Sequence, residues 1–292
     1  MKDLILMFRT ILIPADGTPD FQRCLKIGFE WAQRLESHVK VLHVRPDPKD
    51  TVPLLGEGMS VAMIEDMMDI ALKEGNARSA AARLAFDNIV TELGASITDS
   101  PVSKGLSTHW FETVGREDDT ISAHGRLADL IVVARPGAES DVSTNLNLNA
   151  AIFDTGRPVL VVPPIECSGT ADKIVVSWNG SAQSARAVAF ALPILKRAES
   201  VTALTVDSGN ILGQRAPELE TYLRWHGVDA KTQTISGSPS AVGAKLMDAL
   251  MSENADLLVM GAYTHSRMRR LILGGVTRYI LEESSVKVLM AH

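Results

Sequence analysis

The amino-acid sequence predicts an α/β protein made of two tandem, doubly wound, mainly parallel five-stranded sheets flanked by helices. Three observations predict it. Short, β-branched apolar runs alternate with stretches of helical period along the whole chain. The runs are continuously apolar, as strands buried on both faces of a parallel sheet must be. The third observation is that the pattern occurs twice.

The repeat is read from matched segments. Thr10 to Thr18 (TILIPADGT) falls on Lys173 to Ser181 (KIVVSWNGS), setting Asp16 against Asn179. The same offset brings Arg34 to Ser37 onto Arg197 to Ser200, and Val39 to Val44 onto Thr202 to Asp207. Ala128 to Ala134 (ADLIVVA) then matches Ala255 to Gly261 (ADLLVMG) at a smaller offset, so the first copy carries extra residues in its middle. They fall near residues 58–93, a strongly helical stretch whose place in the second copy is taken by a shorter helix around Pro217 to His226. A chain of 292 residues suits two domains of ordinary size. They are placed at 1–166 and 172–292, joined by the small polar segment Cys167 to Asp172 after Pro163 and Pro164.

In the first copy, strands are expected near Ile11–Pro14, Val39–Val44, Trp110–Val114, Leu130–Ala134 and Val159–Val162. In the second they are expected near Ile174–Ser177, Val201–Val206, Ala230–Ile235, Leu257–Gly261 and Lys287–Met290. Thr18 caps the first helix and Pro19 sits in its first turn, with Phe21, Cys24, Leu25, Gly28, Trp31 and Leu35 on one face. Ser181 caps its counterpart, whose stripe is Ala185, Val188, Ala189, Leu192 and Leu195. Met59, Met63, Met67 and Met68 follow helical spacing and read as core or as a partner-binding face.

Hydrophobic residues make up 46% and charged residues 22%, the balance of a folded globular chain. The net charge of −6 argues against nucleic acid or an acidic membrane as partner. The two cysteines, Cys24 and Cys167, have neither disulfide-framework nor zinc spacing. No apolar run is long enough to span a bilayer, and the N-terminus lacks a signal-peptide cleavage site, so a cytoplasmic location is expected.

In doubly wound sheets, ligands sit beyond the carboxyl ends of the strands, where strand order reverses. Two stretches lie there: the turn after each copy's first strand (Asp16-Gly17-Thr18, Asn179-Gly180-Ser181), and Gly261 to Gly275 after the fourth strand of the second copy. Gly274 and Gly275 open the last helix. They either leave amide N–H groups aimed at an anion or simply make a tight turn. Asp16 reads equally as a turn and cap residue. His265 lies in the loop, and Arg267, Arg269 and Arg270 either steer phosphates or are solvated.

The D-G-[ST] turn, the A-D-L-[IL]-V-[VM] fourth strand and the closing P-V-L-V-V resemble the universal stress protein family, whose fold is Rossmann-like and of the adenine nucleotide α-hydrolase type. Nucleotide-binding members carry Gly, two residues, Gly, nine residues, then Gly with Ser or Thr. This sequence has Gly261, two residues, Thr264, nine residues, Gly274, then Gly275. The resemblance implies a site for ATP or AMP, with Mg²⁺ possible beside ATP, in the second copy. Gly261, Thr264 and His265 would lie along it, Gly274, Gly275, Val276 and Thr277 would face the phosphates, and Asn179 with Gly180 would lie near the nucleoside. Asp16 holds the equivalent place in the first copy, which has no matching glycine pair. The resemblance also implies pairing of the two copies through their last strands, and a homodimer. Three functions follow for testing: a non-enzymatic stress-response protein that binds an adenine nucleotide, an interaction scaffold with neither pocket active, and a weak nucleotide hydrolase.

Overall fold

The computed structural model describes residues 8–45, 61–102, 104–137, 142–167, 171–209, 216–263 and 275–292. Its strands form one sheet of eleven, in the order β3-β4-β2-β1-β5-β6-β11-β10-β7-β8-β9. The first half supplies β1 (Thr10–Ala15), β2 (His38–Arg45), β3 (Ser96–Ile97), β4 (Ser107–Val114), β5 (Leu130–Ala134) and β6 (Val159–Val162). The second supplies β7 (Lys173–Ser177), β8 (Ser200–Asp207), β9 (Lys231–Ser236), β10 (Leu257–Gly261) and β11 (Lys287–Ala291). All ten expected strands are present, and the two-residue β3 joins the outer edge of β4 as an eleventh.

Pairing is parallel throughout each half, and the halves meet at one antiparallel seam. There β6 lies beside β11, with Val159 opposite Met290, Leu160 opposite Leu289 and Val161 opposite Val288. Each half thereby covers a strand edge that would otherwise be open. The expected pairing of the last strands is realised within the chain. Because the seam is antiparallel, the carboxyl ends of the two parallel sets point in opposite directions.

Alternation along the strands splits the core into two layers that both run across the seam. Ile11, Ile13, Val39, Leu160, Leu289, Val259 and Ile174 face one side. Leu12, Leu42, Val161, Val288, Leu258 and Val175 face the other. The first layer is covered by α1 (Pro19–Leu35), α2 (Val61–Leu93), α5 (Ala182–Leu195) and α6 (Ala216–Trp225). The second is covered by α3 (Glu117–Gly125), α4 (Val142–Asp154), α7 (Val242–Ser252) and α8 (Gly275–Glu283).

Helix α1 forms as its sequence directs. The Thr18 side chain accepts from the Phe21 N–H, Pro19 occupies the first turn, and Glu36 in a left-handed conformation (φ 54°) ends it. Its six predicted core residues are all buried. Gly28 lets the helix lie on β1, because a Cβ there would stand 2.4 Å from Cδ1 of Ile13. Across the seam, Arg34 of α1 reaches the second half, with Nη1 2.6 Å from Asp172 Oδ1 and Nη2 donating to the Arg197 carbonyl at 2.9 Å.

Helix α5 departs from expectation. Ser181 caps it, but Ala185 and Ala189 are exposed, and the buried face is Ser184, Ala187, Val188, Ala191, Leu192 and Leu195. Alanine fits either side of a helix, so the larger Val, Leu and Ile side chains set the rotation. The long helix α2, about 50 Å at 1.5 Å per residue, fills most of the expected insertion. Its C-terminal part packs on the core through Ala82, Phe86 and Val90. Phe86 meets Trp110 (centroids 5.4 Å) and Phe29 (6.5 Å). Met63 and Met67 are exposed, so the methionine stripe is not core; Met59 lies outside the described residues. No helix among the described residues is long and apolar enough to cross a membrane.

Candidate functional site

The turns after β1 and β7 are built alike. Asp16 Oδ1 accepts from the Thr18 N–H (2.9 Å) and from the Thr18 hydroxyl (2.7 Å). Asn179 Oδ1 accepts from the Ser181 N–H at 3.1 Å. Gly17 (φ 78°) and Gly180 (φ 72°) supply the left-handed step that follows. Both side chains thus hold the entry to a helix, as the turn-and-cap reading of Asp16 expects. Removing the cap with Thr18→Ala should lower stability by about 1 kcal/mol, read from a urea melt, with Ser181→Ala matching it.

The carboxyl ends of β7 and β10, adjacent in the sheet, bound the crevice of the second copy. Gly261 ends β10, and a Cβ there would stand 2.5 Å from the Ser184 amide nitrogen. The missing side chain therefore lets the first turn of α5 close against the strand end. The family resemblance had placed this glycine along a ligand. Gly275 is exposed at the start of α8, and a Cβ on it would meet nothing within 4 Å. Val276 is half-buried and packs on the second core layer. Thr277 is buried, and its hydroxyl accepts from the Tyr263 N–H at 3.3 Å. It buttresses the loop after β10 from inside. Thr264, His265 and Gly274, with Arg267, Arg269 and Arg270, lie outside the described residues.

The first copy's crevice is occupied by the chain itself. Helix α2 passes over the Asp16 turn so closely that a Cβ on Gly17 would stand 2.3 Å from the Arg78 carbonyl oxygen. Glu117, in the first turn of α3, is nearby, half-buried and hydrogen-bonded to the Asn147 side chain of α4. Burial first, then the neighbouring Asp16 and Asp118 carboxylates, push the Glu117 pKa from 4.5 up to about 7, while Arg78 and the Asn147 hydrogen bond pull it down. Asn147 is itself buried, and its Oδ1 has no hydrogen-bond partner. Sequence reading missed Arg78, Glu117 and Asn147, which come from three separate helices with no motif spacing. Among the described residues no group of three His, Cys, Asp or Glu side chains is placed to hold a metal ion.

A family model described as the universal stress protein family matches residues 212–292, the C-terminal part of the chain that contains β9, β10, α8 and β11. Similarity extends beyond that part. A universal stress protein of Synechocystis sp. is 22% identical over 299 residues, covering 96% of this chain and 99% of that protein. Residues 212–292 thus match the universal stress protein family, and the whole chain is similar to one of its members. Solved structures agree on the fold across both halves. A universal stress protein from Archaeoglobus fulgidus superposes with a TM-score of 0.68 at 16% identity, over 98% of this chain and 96% of that one. A functionally unknown protein from Pseudomonas aeruginosa gives 0.59 at 14% identity, over 97% and 92%. The two equivalent strand ends differ: α2 closes over the Asp16 turn, whereas the Asn179 turn leads into a helix whose first turn lies against Gly261.

Proposed function

We propose that this chain is a universal stress protein that binds an adenine nucleotide, ATP or AMP, in the crevice of its second half, and acts by binding and signalling rather than by catalysis. The observation that carries the reading is the exposed first turn of α8, where a Cβ on Gly275 would meet nothing within 4 Å and Thr277 is tied to the loop that leaves β10 at Gly261. A helix N-terminus favours phosphate through its N–H groups and its dipole, by about 0.3–1 kcal/mol per charge. Mg²⁺ would accompany ATP as a counter-charge. In the first half, α2 stands in the equivalent space, so one nucleotide per chain is expected. A cytoplasmic location fits this role.

The test is a thermal melt with MgATP. Ligand at 100 times its dissociation constant should add about 2.7 kcal/mol, a shift of several degrees at roughly 2–4 °C per kcal/mol. Gly275→Val should leave the unliganded melting temperature nearly unchanged, since a Cβ there meets nothing within 4 Å, and should abolish the shift. A shift that survives Gly275→Val, or none in ligand-free protein, overturns the reading. The second outcome would favour the interaction-scaffold alternative, for which the exposed Met63, Met67 and Ile70 of α2 offer a surface.

A further inference from the structure

On the sheet face carrying α4 and α8, a groove of about 830 Å³ separates these two helices along the β6–β11 seam. Aligning Pro158 to Val162 with Lys287 to Ala291 sets Asn149 against Arg278 and Phe153 against Glu282. All four residues line the groove, so its walls are built from equivalent positions of the two copies. Their chemistry is not equivalent. One wall brings an amide and an aromatic ring; the other brings a guanidinium and a carboxylate.

The groove is also polarised along its length. At one end Phe153 and Tyr263 pack ring to ring, with centroids 5.0 Å apart. Arg278 is at this end too, next to Thr277, whose hydroxyl receives the Tyr263 N–H. At the other end Arg135 crosses the seam and donates from Nη1 to the Ser284 carbonyl at 2.6 Å. The Arg278 guanidinium is paired with Glu282 one turn along α8, and both side chains are about half exposed. Such an exposed pair contributes little and yields readily to a better-placed acid.

We propose that this groove binds one small aromatic anion per chain, its ring against Phe153 and Tyr263 and its acid group on Arg278. The volume is that of a small-molecule site. Offset or edge-on stacking suits the two rings, and a planar guanidinium grips an acid group through paired N–H donors. The unequal walls admit a single orientation, so stoichiometry is one despite the repeat. The groove adjoins the proposed nucleotide crevice at the first turn of α8 but is lined by residues other than Gly275, Val276 and Thr277.

The probe is 1-anilinonaphthalene-8-sulfonate, followed by its fluorescence on the full chain. Saturable binding of one dye per chain is expected. Arg278→Gln should weaken it about tenfold, and Asn149→Trp, which places a bulky ring on an exposed position of the wall, should abolish it. Gly275→Val should leave it unchanged. Both groove variants alter exposed residues, so their melting temperatures serve as the check that they are folded. No saturable binding overturns the proposal. So does binding that both groove variants leave intact, or a dye displaced by MgATP only while Gly275 is present.

Discussion

Raising the pH from about 4.5 to 8 should weaken this protein by up to roughly 3 kcal/mol through one residue, Glu117. Its pKa is about 7 in the folded chain against an ordinary 4.5. Between those values the folded state holds a proton that the unfolded state has released, so folding is favoured at low pH and loses ground as pH rises through 7. Each pKa unit is worth 1.36 kcal/mol, and the displacement of about two and a half units sets the magnitude. Arg78 and Asn147 ease the charge, while Asp16 and Asp118 oppose it. Glu117→Gln keeps the shape and can keep a hydrogen bond to Asn147, but it never ionises. The variant should therefore match the wild type near pH 4.5 and exceed it by most of that 3 kcal/mol at pH 8, in urea melts at both pH values. Equal pH responses in the two proteins would refute the assignment.

The second large effect is expected at Gly17. Gly17→Ala should destabilise by about 2–4 kcal/mol, from two sources. A left-handed backbone disfavours a side chain by roughly 1–2 kcal/mol, and the new methyl would press on the Arg78 carbonyl. Overpacking of that kind typically adds 1–3 kcal/mol. Gly209→Ala is the control, because its φ of 79° is nearly the same and nothing lies within 4 Å of its would-be Cβ. It should show the backbone penalty alone. Equal losses in denaturant melts would mean that α2 does not bear on the turn.

Much of the architecture was legible in the sequence because its determinants are local. Val159 to Val162 and Lys287 to Met290 declare themselves as buried strands by composition, and the family resemblance implied their pairing, which the seam realises. Thr18 and Ser181 declare helix entries through a single side-chain hydrogen bond. Harder to read were features set by packing between distant segments. The rotation of α5 turned on alanines, which carry no preference for either face. The closing of the first crevice depends on Arg78, Glu117 and Asn147 meeting from three helices. Gly261 was noticed for a motif's spacing, yet its absent side chain serves the approach of α5. A glycine records that something comes near, and only the fold tells what.

Both core layers cross the seam without a break, from Leu160 to Leu289 on one face and from Val161 to Val288 on the other. The duplicated halves should therefore melt as one cooperative unit, with no break between them at the sheet. A change that stabilises one half should raise the melting temperature of both, because the two are joined in a single sheet of eleven strands.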